Sequence, residues 1–150
     1  MEQQKMNVAL KQAVIKAIHD AFSLPVYGER VQKGAKMPCF SVVVQESRQK
    51  RLLGRRRAVL QTLAVEYHTA DRMTGKEESI SMADRLYEVL WMVGDTEKFL
   101  AEVLRHEERE NGIIFLATYT WHIILQEKEE KMQRLEINGK KAVGYDSGNI

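Results

Sequence analysis

The run from Ile113 to Gln126, IIFLATYTWHIILQ, is the densest apolar stretch of the chain and constrains its fold more than any other segment. Successive side chains of a β-strand point to opposite faces, so every second residue of this run shares one face. That face would carry only apolar and aromatic side chains: Ile113, Phe115, Ala117, Tyr119, Trp121, Ile123 and Leu125. The β-branched and aromatic residues, and the Asn111-Gly112 turn before them, favour a strand over the alternative of a buried helix. We therefore predict a long central strand with one buried face.

Two amphipathic patterns predict helices that cover this face. Apolar residues recur every four positions from Leu10 to Phe22, and Pro25 ends the pattern because proline cannot donate a helical hydrogen bond. A second stripe runs from about Glu77 to Val93. The segment Thr74 to Glu77 before it has the spacing of a capping box, and Gly94 after it is the expected C-terminal stop.

The remaining segments predict strands. We expect a short strand from Val26 to Val31, a second that begins after Pro38, and a third, antiparallel to the second, from Ala58 to His68. The segment from Thr96 to Glu110 fits a helix or a strand, and the Asn-Gly hairpin signal that follows favours a strand.

These elements in order predict an α+β fold. It would be an antiparallel sheet of about five strands with both helices on one face, in the order α-β-β-β-α-β-β, followed by a C-terminal β-hairpin arm at Leu135 to Val143. We expect residues 1–130 to form a single domain and residues 131–150 to form the arm and a disordered tail.

Composition limits the class of protein. With 150 residues, of which 44% are hydrophobic and 29% charged, the chain has the makeup of an ordinary soluble domain. A net charge of +2 is too small to indicate nucleic-acid binding from the overall balance. No apolar run has the length of a membrane span, and the N-terminal MEQQKMN lacks the apolar core of a signal peptide. These features favour a cytoplasmic protein without membrane partners.

Short catalytic signatures do not occur in the sequence. It contains no Gly-rich phosphate loop, no HExxH, no CxxC and no GxSxG. The single cysteine, Cys39, permits no internal disulfide and lies at a strand entry, where a packed small side chain is the expected role. The four histidines are scattered along the chain. We expect no catalytic, cofactor or metal site.

A basic stretch between Arg48 and Arg57 is the most conspicuous charge feature. It carries six basic residues and no acid: Arg48, Lys50, Arg51, Arg55, Arg56 and Arg57. A solvated hairpin loop is one interpretation, and contact with an acidic protein surface or with DNA phosphates is the other. No aromatic residue is interleaved, which disfavours stacking on single-stranded nucleic acid.

The second face of the predicted sheet is the other candidate surface. It would be apolar at Leu60, Ala64, Ile114, Leu116 and Ile124, and the chain has no further layer to cover it. Self-association through this face is the simplest expectation.

The segment from Phe22 to Val44, FSLPVYGERVQKGAKMPCFSVVV, resembles the tail terminator (tail completion) proteins of long-tailed bacteriophages and of prophages in Gram-positive bacteria. The shared features are a helix that ends in Phe and Pro, a Val-Tyr-Gly-Glu strand, a Gln-Lys-Gly turn and a Pro-Cys-Phe strand entry. The helix MADRLYEVLWMV, the Asn-Gly turn and the run TYTWHI follow in the same order. The resemblance covers about Asn7 to Glu127.

This resemblance implies a non-enzymatic virion protein that assembles as a ring, a hexamer, on the head-proximal end of a tail tube. The ring would stop tube polymerisation and join the tail to the head connector protein. Its implied partners are other copies of itself, the tail tube protein, the head-tail connector protein and DNA in the lumen. Its implied location is the virion tail, after assembly in the host cytoplasm. The rival classes are a small oligomeric nucleic-acid-binding module that uses the basic stretch, and a small enzyme.

Overall fold

The computed structural model describes residues 2–32, 34–69 and 75–126. The elements in chain order are α1 (Glu2–Phe22), β1 (Val26–Tyr27), β2 (Cys39–Arg51), β3 (Arg56–His68), α2 (Gly75–Val89), β4 (Met92–Val93), β5 (Phe99–Arg109) and β6 (Gly112–Ile124). The strands form one sheet in the order β1-β2-β3-β6-β5-β4. The predicted α+β architecture is therefore confirmed, with six strands in place of five.

The described residues fall into two compact units. Residues 2–51 and 58–123 belong to the first, and residues 52–57 and 124–126 to the second. The predicted hairpin at 135–143, the tail and the proposed domain boundary at residue 130 lie outside the described residues.

The sheet is mixed, which corrects the prediction of an antiparallel one. β1 pairs with β2 in parallel, with Val26 opposite Phe40 and Tyr27 opposite Ser41. The N–H of Phe40 also bonds to the carbonyl of Pro25, at 2.9 Å. A tight hairpin would have reversed the chain, but the long connection after Tyr27 lets β2 start in the same direction as β1.

The second helix is shorter than predicted. It ends at Val89, and Met92–Val93 form β4, which pairs antiparallel with the start of β5. Gly94 has a φ of +108° and lies after β4, so it serves the β4–β5 turn and does not end the helix. The predicted capping residue Thr74 lies outside the described residues.

The segment that fitted either a helix or a strand is a strand. β5 pairs antiparallel with β6, from Leu100 opposite Thr120 to Arg109 opposite Gly112. A register shift between Ala101 and Val103 makes Glu102 an extra residue, which is a β-bulge. Because of it Leu100 and Val103, three positions apart, point to the same face of the sheet.

One face of the sheet and both helices enclose the main core. Its buried members include Leu10, Val14 and Ile18 of α1, Leu86 of α2, Leu63 and Tyr67 of β3, and Phe115 and Tyr119 of β6. The odd-numbered face of the central strand is buried from Ile113 to Tyr119, as predicted. The prediction is wrong for the end of the run, where Trp121 and Ile123 are half-buried and Leu125 is exposed. Arg85 of α2 donates a hydrogen bond of 2.7 Å to the carbonyl of Ala21 and lies 4.3 Å above the ring of Phe22, which joins the two helices.

Candidate interaction surfaces

The second face of the sheet is less open than the sequence predicted. Ala64, Ile114 and Leu116 form a small cluster with Val43 and are buried within the chain itself. The sheet is curled, so side chains on neighbouring strands cover one another without a further layer. The expectation that these three residues are exposed is therefore wrong.

The other two residues predicted on this face remain accessible. Leu60 is half-buried, and Ile124 has 66% of its surface exposed. A role of the five predicted residues in a subunit interface stays a prediction.

An apolar patch that the sequence pattern missed lies on the same face, at the β4–β5 side. Met92, Leu100 and Val103 are 52%, 60% and 49% exposed. Met92 is the register partner of Leu100, and Val103 is the partner of Thr118. The hydroxyl of Thr118 lies 2.9 Å from that of Thr62, so both threonine side chains point to this face. The sequence does not predict this patch because the bulge changes the alternation of side chains within β5.

Two long sheet edges are left open by short outer strands. β1 pairs only with Phe40 and Ser41 of β2, and β4 pairs only with Phe99 and Leu100 of β5. The N–H of Ala101 still bonds to the carbonyl of Trp91, at 2.9 Å. Beyond these points, residues 42–51 of β2 and 103–109 of β5 have a neighbouring strand on one side only within the described ranges. Each edge presents unpaired backbone groups.

The basic residues are divided between two strands and a turn. Arg48, Lys50 and Arg51 lie in β2, where they are exposed and have no ion-pair partner in the described part of the chain. The interpretation as a hairpin loop is wrong for these three residues because they continue the strand.

The other basic residues belong to the second unit. Arg55 lies in the turn, and its carbonyl accepts a hydrogen bond of 2.8 Å from the N–H of Leu125. Arg56 and Arg57 are the first two residues of β3. The carbonyl of Arg56 accepts hydrogen bonds from the N–H of Leu52 and from the Arg57 guanidinium, both at 3.1 Å.

The β5 edge carries carboxylates of two kinds. Glu107 is held by Arg105 at 2.9 Å and lies 3.9 Å from Arg109. The hydrogen bond from Arg105 lowers the pKa of Glu107, so this carboxylate stays ionised. Glu102 and Glu108 are exposed and have no ion-pair partner among the residues that the structure describes.

A groove of about 480 Å³ between α1 and the β4–β5 turn is lined by three alanines of α1 and by polar and apolar residues of both segments. In it, Lys16 is bonded to Asp20 at 3.1 Å and lies 3.8 Å from Asp95. No group of three or more potential metal ligands occurs among the described residues. Cys39 is buried, and burial raises the pKa of its thiol, so it is not a reactive thiolate. None of the described helices is long and apolar enough to cross a membrane.

Comparison with known proteins gives one family. A model described as "Phage tail terminator protein" matches residues 9–132, which is most of the chain and includes both open sheet edges. No curated protein matches the chain.

Proposed function

Because this chain belongs to the phage tail terminator family, we propose that it forms a ring on the head-proximal end of a tail tube, ends tube polymerisation and joins the tail to the head connector. The family is one of structural proteins and gives the chain a structural role in the phage tail. The observation that carries the proposal is this family match over residues 9–132. The apolar patch at Met92, Leu100 and Val103 supports it, because surfaces of this kind on a small domain mark protein contacts.

Other copies of the chain are the first proposed partner. A head-to-tail contact repeated by rotation closes into a ring, and a hexamer is the proposed form. The tail tube protein and the head-tail connector protein are the next partners, after assembly in the host cytoplasm. The exposed Arg48, Lys50 and Arg51 would suit an acidic surface on one of them or DNA phosphates in the lumen.

Tail assembly in cells tests this function. A phage genome that lacks this gene is complemented with the wild-type chain or with a variant in which Arg55, Arg56 and Arg57 are changed to Gln. The wild-type chain should give tails of uniform length joined to heads, and the variant should give fewer capped tails. Tail lengths and joined particles are counted by negative-stain electron microscopy.

A matched control removes the same charge elsewhere. Lys36, Lys76 and Lys98 are exposed and form no ion pair within the described residues, so their change to Gln should leave tail capping intact. Unchanged capping by the arginine variant would remove these arginines from the mechanism. Uniform, joined tails without any copy of the chain would overturn the proposed function.

A nucleic-acid-binding module is the second candidate function. The observation that favours it is the group of cations at Arg48, Lys50 and Arg51, which have no ion-pair partner among the residues that the structure describes. Binding of the purified chain to duplex DNA would then weaken steeply with salt, because each neutralised phosphate releases counterions. DNA binding of this kind with normal tails in the absence of the chain would favour this candidate.

A further inference from the structure

We infer that the open edge of β2 in one copy pairs with the open edge of β5 in the next, so that the sheet continues from copy to copy. This inference rests on the proposed ring and identifies the surfaces that close it. The partner is a second copy of this chain, in a head-to-tail arrangement.

The backbone groups along the two open edges favour this pairing. Residues 42–51 of β2 and 103–109 of β5 have no strand neighbour on their outer sides within the described ranges. Native proteins seldom leave long edge strands open, because the N–H and C=O groups there recruit another strand. Strand addition at such an edge is a common mode of protein recognition.

The directions of the strands are compatible with an antiparallel pairing of β2 and β5. A short turn joins β2 to β3, and β5 runs antiparallel to β6. Thr62 contacts Thr118, whereas Thr69 bonds to Asn111, so β3 and β6 are also antiparallel. β2 and β5 of one copy therefore run in opposite directions. A ring rotation that preserves strand direction places β5 beside the neighbour's β2 as an antiparallel pair, which continues the alternation of β2, β3, β6 and β5.

The exposed charges of the two edges also favour this pairing. Within the described residues, Arg48, Lys50 and Arg51 on the β2 edge lack ion-pair partners, as does one carboxylate there, Glu46. On the β5 edge Glu102 and Glu108 lack them. Two β2 edges would bring unpaired cations together, and two β5 edges would bring unpaired carboxylates together. The β2–β5 pairing brings a mainly positive edge against a mainly negative one, so the charges favour the head-to-tail contact over two-fold pairing of like edges.

Exposed aliphatic side chains along the same edges favour the pairing as well. Val44 of β2 is 43% exposed and Val103 of β5 is 49% exposed. A strand added at either edge would cover part of these side chains. The hydrophobic effect therefore acts in the same direction as the backbone and the charges.

Charge reversal tests the pairing. The first variant carries Arg48→Glu and Lys50→Glu on the β2 edge, and the second carries Glu102→Lys and Glu108→Lys on the β5 edge. Native mass spectrometry of the purified full chain over a range of concentrations gives the concentration of half-dissociation. We expect each variant to raise it at least about tenfold, because like charges then face each other.

Two restorations make the test specific. An equimolar mixture of the two variants should assemble, since each unlike edge finds its complement in the other variant. The variant that carries all four reversals should assemble alone. Unfolding midpoints within error of the wild type show that the variants remain folded.

The outcomes separate the pairing from the ring. A wild-type ring that both reversals leave unchanged, or that the mixture does not restore, overturns the edge pairing and leaves the proposed function standing. A chain that stays monomeric at every concentration also overturns the pairing. Tail capping in cells then judges the proposed function independently.

Discussion

The hydroxyl of Tyr119 gives the sharpest stability prediction. This side chain is fully buried on β6, and its hydroxyl donates a hydrogen bond of 2.6 Å to the backbone carbonyl of Leu90, just past the end of α2. Tyr119→Phe removes the donor, keeps the ring and leaves that carbonyl without this partner. We expect the free energy of unfolding at pH 7 to fall by about 1.5 kcal/mol.

The matched control is Tyr27→Phe. Tyr27 is half-buried in β1, and its hydroxyl forms no hydrogen bond within the described residues. The same chemical change there should alter the free energy of unfolding by less than about 0.5 kcal/mol.

The dependence on pH adds a second, independent signature. Burial raises the pKa of Tyr119 above its ordinary value of 10. Above pH 10 this tyrosine is ionised in the unfolded chain and still protonated in the folded one, so the unfolded state binds fewer protons and stability falls as the pH rises. The slope is about 1.4 kcal/mol per pH unit until the raised pKa is reached.

The Phe variant lacks this term, whereas all other titrating groups are common to both proteins. The difference between them should therefore shrink above pH 10 and vanish near about pH 11. Urea unfolding followed by circular dichroism at pH 7, 10 and 11 measures it. A difference that stays constant over this range would refute the reasoning, because it would mean that the hydroxyl ionises equally well in the folded chain.

Two further predictions concern the sheet. A Cβ at Gly112, where φ is +148°, would overlap the carbonyl oxygen of Tyr67, whereas a Cβ at Gly54, where φ is +68°, would meet open space. Gly112→Ala should therefore cost about 4 kcal/mol or more and Gly54→Ala about 1 to 2 kcal/mol in urea unfolding, and equal losses would refute the close approach. Thr62 and Thr118 share a hydroxyl hydrogen bond of 2.9 Å, so a double-mutant cycle with valine should give a coupling of about 0.5 to 1 kcal/mol. Strictly additive losses would show that this bond contributes nothing.

Alternation and turn chemistry were enough to predict the centre of the sheet. The apolar positions from Ile113 to Tyr119 are buried as their period of two required. The Asn111-Gly112 turn correctly predicted that the segment before it, which contains β5, is a strand.

Local patterns failed where long-range pairing decides the structure. Leu90 and Val93 both fit the helical period and both are buried, but Leu90 follows the end of α2 and Val93 lies in a two-residue strand. Periodicity reports burial and does not identify the element that provides it. The parallel pairing of β1 depends on the path of the long connection after it, which has no periodic signal.

The candidate surfaces were predicted only in part. Six cations could be counted from the sequence, but only the fold shows that Arg48, Lys50 and Arg51 have no ion-pair partner among the described residues. Curling of the sheet buries Ala64, Ile114 and Leu116, because neighbouring strands approach one another there. The accessible apolar patch lies at Met92 and Leu100 instead, beside a bulge that no residue type in β5 signals.

The extra residue at Glu102 also sets how β5 tolerates changes in length. Ala101 already faces Tyr119, and Val103 already faces Thr118, so the β6 ladder has no position for the residue between them. A chain shortened by this one residue would keep every remaining side chain of β5 on its present face. Loss of Leu104 would instead move Glu102 opposite Thr118 and Val103 opposite Ala117, so that Val103 would replace Leu104 on the core face. Within this strand, Glu102 is thus the position at which a residue can be removed without changing the face of any other side chain.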